Sequence, residues 1–67
     1  MWKELEQKRV GKTLTTITYA LSTKQGCIVR VTTYRDYDTM SEEIVSDVMT
    51  FAEGAVIKFT NNINTIT

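Results

Sequence analysis

Three short stretches hold the residue types that chemistry would need. Gly11-Lys12-Thr13 is how a phosphate-cradling loop ends, Asp36, Asp38 and Thr39 bring two carboxylates and a hydroxyl together, and Cys27 is a thiol. A phosphate loop also needs a glycine five residues before the glycine of Gly-Lys-Thr, because bare backbone amides wrap the anion, and it must lead into a helix. That earlier position is Glu6, whose carboxylate repels phosphate, and the residues after Thr13 alternate like a strand. Gly11 reads as a turn into a strand, and Lys12 as a surface cation.

Asp36-Tyr37-Asp38-Thr39 resembles, in its paired aspartates, the signature of haloacid-dehalogenase-type phosphotransferases, which implies magnesium and an attacking carboxylate. The likeness covers four residues, and that family's remaining catalytic groups require a parallel α/β sheet much longer than this chain. Read as the start of a calcium loop, the same stretch has Ser41 where glycine is needed and Asp47 where the closing glutamate belongs. A solvated turn and helix cap is the simpler reading. With no histidine in the sequence, Cys27 and the hydroxyl residues lack the usual base, and a conventional zinc site lacks its ligands. No catalytic residue, cofactor or metal is expected, and the chain reads as a non-enzyme.

What must position any surface is a chain of 67 residues. A domain of this size hides only about 60% of its unfolded surface, so its core is marginal and needs a staple or a partner. One cysteine makes no internal disulfide, which leaves association. An unpaired thiol and a charged N-terminal stretch suggest the cytoplasm. Formal charge is zero, yet residues 1–35 carry +5 and residues 36–67 carry −5. Two halves that attract each other on folding account for this more simply than a basic binding face.

No proline or low-complexity linker divides the chain, so residues 1–67 are read as one α+β domain. Residues 2–9 fit a turn or two of helix or a frayed strand. Residues 13–21 and 27–34 are rich in β-branched residues with period two, and Ser22-Thr23-Lys24-Gln25-Gly26 between them suits a hairpin loop. Pairing Leu21 with Cys27, Tyr19 with Val29 and Ile17 with Val31 gathers the large apolar residues on one face. Leu14, Ala20, Ile28 and Tyr34 then fall on the other. Thr39 and Glu42 form a capping box, with Asp38 or Ser41 as alternative caps, and Ile44, Val45, Val48, Met49, Phe51 and Ala52 follow at helical spacing. The expectation is ββα, with a C-terminal edge strand after Gly54; the alternative continues the helix to about residue 59.

Such a protein acts by contact. The favoured expectation is a self-associating protein that binds or inhibits another macromolecule, encoded, by analogy of size alone, by a phage or mobile element. Arg30, Tyr34, Arg35, Lys12, Leu14 and Ile28 are the candidate interaction residues, and Ile63, Ile66 and Phe59 the candidate oligomer interface. The uncharged tail lacks the lysines or prolines that discourage edge pairing. The alternatives are a nucleic-acid-binding regulator using the basic hairpin, with tyrosines and Trp2 for stacking, and an oligomer that sequesters a small anion.

Overall fold

The computed structural model describes residues 1–36 and 42–67. Its strands are β1 (Lys3–Arg9), β2 (Leu14–Ser22), β3 (Gly26–Asp36), β4 (Glu42–Glu53), β5 (Ile57–Thr60) and β6 (Ile63–Ile66). β1 to β4 form an antiparallel sheet in chain order, and β5 and β6 form a separate two-stranded sheet. Among the described residues there is no helix, and so none long and apolar enough to cross a membrane.

The expected α+β fold is therefore wrong: residues 42–53, placed on a helix, are the strand β4, and among the described residues no helix packs on the sheet. Two local causes explain the misreading. Ile44, Val45, Val48, Thr50 and Phe51 all favour extended backbone, which outweighs a helical spacing of apolar residues. A β-bulge then adds Val45 to β4 opposite the step from Thr33 to Tyr34, so the side-chain phase shifts and period two is lost to inspection. Of the expected caps, Asp38, Thr39 and Ser41 lie outside the described residues, and Glu42 begins β4.

The hairpin of β2 and β3 is present, but one residue out of the expected register. Leu21 pairs with Ile28, Tyr19 with Arg30 and Ile17 with Thr32. The connection decides this. Thr23 donates its backbone N–H to the Gly26 carbonyl at 2.7 Å and its hydroxyl to the same oxygen at 3.0 Å, which closes a tight turn on Lys24 and Gln25. Because one residue of slip exchanges faces, Val29 and Val31 lie opposite the face that carries Ile17, Tyr19 and Leu21.

Neither face is thus wholly apolar. The first, the aromatic face, holds Tyr19, Leu21, Ile28, Arg30, Tyr34, Met49 and Phe51, and Trp2 joins it over Arg30. The second, the valine face, holds Ala20, Cys27, Val29, Val31, Val48 and Ala52. Burial is complete at Ala20 and Cys27, and nearly so at Thr32.

The chain after Gly54 closes over one end of the valine face. Gly54 takes φ 73°, its N–H reaches the Gln25 carbonyl at 2.8 Å, and the Cys27 thiol donates to the Ala55 carbonyl at 3.2 Å. The strand anticipated after Gly54 is there as β5, paired to β6 through a turn in which Asn61 and Asn62 have φ 53° and 63°. Two positive φ values define the type I′ hairpin turn, for which asparagine is among the favoured residues. β6 lies beside β1, where the Asn64 side-chain amide donates to the Glu4 carbonyl at 3.1 Å.

Candidate interaction surface

The turn that resembled a phosphate loop is organised around a cation of its own. Arg9, at the end of β1, donates Nε to the Gly11 carbonyl at 3.2 Å and Nη2 to the Lys12 carbonyl. Its Nη1 reaches Asp36 at 3.2 Å. Loop carbonyls, not amides, converge on the guanidinium, and the first aspartate of the Asp36-Tyr37-Asp38 run is held there. Lys12 is exposed in the turn.

A second cationic centre sits on the aromatic face. Arg30 grips Asp47 of β4 with two bonds, Nε to Oδ1 at 2.8 Å and Nη2 to Oδ2 at 2.6 Å, and the Thr32 hydroxyl donates to Oδ1 at 3.1 Å. The Trp2 ring lies 5.8 Å from the Arg30 guanidinium carbon, within cation–π range. Hydrogen bonding from Arg30, reinforced by Thr32 and opposed by partial burial, holds Asp47 below the usual carboxylate range. The same hydrogen bond raises Arg30. Partial burial and a hydrogen bond with Tyr34 push the Tyr19 phenol up. Both ion pairs, Arg9 with Asp36 and Arg30 with Asp47, join the basic first half of the chain to its acidic second half.

The residues proposed from sequence do not form one patch. Arg30, Tyr34 and Ile28 share the aromatic face, whereas Leu14 and Arg35 pair with each other on the valine face, and Lys12 is in the first turn. Phe59 and Ile63 are exposed on opposite faces of the C-terminal hairpin, and Ile66 is half-buried opposite Ile57. Phe59 does help to line an open cleft of about 610 Å³ with Met1, Lys3, Ser22, Ile57 and Asn64. A smaller, polar hollow of about 280 Å³ includes Arg9, Thr15, Tyr34 and Glu42. Among the described residues no group of three or more His, Cys, Asp or Glu side chains could hold a metal ion.

The main feature that sequence reasoning missed is β4. Ile44, Val45, Val48, Met49 and Phe51, assigned to a helix's buried stripe, are all exposed, Met49 by 60% and Phe51 by 50%. β4 is one of the two outermost strands of the four, and its second edge has no strand beside it among the described residues. The density of β-branched and aromatic residues from 44 to 51 was the available signal.

No family model, no curated protein and no solved structure matches this chain.

Proposed function

We propose that this chain is a non-enzymatic interaction protein whose partner docks on the open edge of β4. The observation that supports this most is the combination of a 12-residue strand, one edge of which has no strand beside it among the described residues, with five exposed large apolar side chains on it. Such an edge is a ready template for another backbone, and here no lysine or proline guards it. Exposed apolar surface of this kind marks an interaction site more often than a solvated one. A small sheet with a thin core also gains most from a partner that covers it. A reducing, cytoplasmic setting suits the unpaired Cys27.

Self-association is a second reading, favoured by Phe59 and Ile63, which are 68% and 54% exposed on the C-terminal hairpin. Nucleic acid has less support. Arg9 and Arg30 are each occupied by an aspartate, and net charge is zero.

The test is capture of partners from a host lysate by the tagged chain, with wild type set against Val48→Lys/Met49→Lys, whose fold is first verified by circular dichroism. A partner held by wild type and lost by the double variant supports the reading. Equal capture by both removes β4 from it.

A further inference from the structure

The occupant of the β4 edge can be specified further, on the reading that a partner docks there. The ionisable residues of β4 are Glu42, Glu43, Asp47 and Glu53, all acidic. Glu42 stands at one end and Glu53 at the other, and Asp47 is already neutralised by the Arg30 fork. Between the ends lie the exposed Val48, Met49 and Phe51. Along its length the edge is acidic, then apolar, then acidic.

This pattern disfavours a second copy of β4. A two-fold axis normal to an extended sheet keeps each side chain on its own face, which restricts antiparallel self-pairing to alternate registers. The one that overlaps most, about Val48, sets Glu42 against Glu53 at both ends once the bulge at Val45 is counted. Like charges directly opposite destabilise a strand pair. β1 of a second copy is no better suited, since Glu4 and Glu6 interrupt its cations and Asn64 occupies the Glu4 carbonyl. A polyanion meets the same carboxylates.

We infer that β4 accepts, by strand addition, an extended protein segment that carries Lys or Arg at both ends and β-branched or apolar residues between them. Backbone hydrogen bonds supply the attachment, and side chains supply selection. On the valine face the segment lies beside Ser46, Val48 and Thr50, which suit β-branched neighbours; on the aromatic face it lies beside Met49 and Phe51. Acidic groups at both ends leave charge indifferent to the direction of the added strand.

Two amide-capped synthetic peptides test this: Lys-Lys-Thr-Val-Thr-Val-Thr-Val-Lys-Lys, and the same peptide with every lysine replaced by glutamate. Calorimetry with the full chain should show the lysine peptide binding at least about tenfold tighter at low salt, with the advantage shrinking as salt rises. Hydrogen exchange should slow at β4 amides, and Glu42→Gln/Glu53→Gln should reduce the preference several-fold while leaving circular dichroism unchanged. If both peptides bind equally and protect β4, the charge rule is overturned while edge docking stands. Failure of both peptides to protect β4 overturns the two together. Protection of β4 that grows with the concentration of the chain alone assigns the edge to a second copy and overturns the inference.

Discussion

A Cβ atom added to Gly26 would stand 2.2 Å from the Ala52 carbonyl oxygen and 2.8 Å from the Gly54 nitrogen. Both obstacles are backbone, and Gly26 itself has φ 155°, which side-chain-bearing residues rarely adopt. The end of β4 can cross the β2–β3 hairpin because this position has no side chain.

Gly26→Ala should consequently destabilise the fold by roughly 2 to 5 kcal/mol, from overpacking and backbone strain together. Gly54→Ala, with φ 73° but open space around it, should cost only about 1 to 2 kcal/mol. Urea denaturation of the two variants measures the difference. Similar losses would contradict the close approach.

Asp47 makes stability depend on pH in one direction. Its folded pKa is depressed by Arg30, so its contribution is present above the unfolded value of about 3.9 and is lost as pH falls through the lower folded value. Asp47→Asn should weaken the fold near neutrality and make little difference below that window. Denaturation curves at pH 7 and at about pH 2 check this, and an equal loss at both would assign the effect to shape.

Tyr19 titrates with the opposite sign. Partial burial and the bond with Tyr34 raise its pKa, so the contribution is complete below the unfolded value of about 10 and disappears as pH rises through the folded one. In an ultraviolet titration Tyr19 should ionise later than it does in the unfolded chain, and Tyr34→Phe should bring it earlier.

Cys27 is fully buried and donates to the Ala55 carbonyl. A thiol reagent should label it far more slowly in the native protein than in denaturant, where exposure is complete. Rapid native labelling would show that the chain after Gly54 opens readily.

Self-association through the C-terminal hairpin predicts at least a dimer by light scattering at micromolar concentration. Phe59→Lys/Ile63→Lys should shift it toward monomer without loss of β-structure, since both side chains are exposed. A monomeric wild type would remove this second reading.

The hairpin of β2 and β3 was legible in the sequence because both strands have β-branched residues at period two around a short loop. Its register was not, because grouping Ile17, Tyr19 and Leu21 with Val29 and Val31 presumed one apolar face. The tight turn at Lys24 and Gln25 overrode that preference, and the polar Thr32 is buried where an apolar residue was expected. β4 was misread for a related reason: an edge strand need not be amphipathic, and its bulge at Val45 imitates helical spacing. Asn61-Asn62 was a readable signal for the last hairpin, had the pair been weighed as a type I′ turn. The interaction surface was the least legible part, because Met49 and Phe51 are exposed on a strand beside which no fifth strand lies among the described residues.

β2, β3 and β4 each pair with the strand just before them in the chain, whereas the bond from Asn64 to Glu4 joins residues 60 positions apart. During synthesis β1 to β4 can zip together in order while the tail is still emerging, and the last hairpin closes locally before it docks. A contact that forms after the sheet makes a kinetic prediction: a lesion at Asn64 would leave the folding rate nearly intact and appear as faster unfolding.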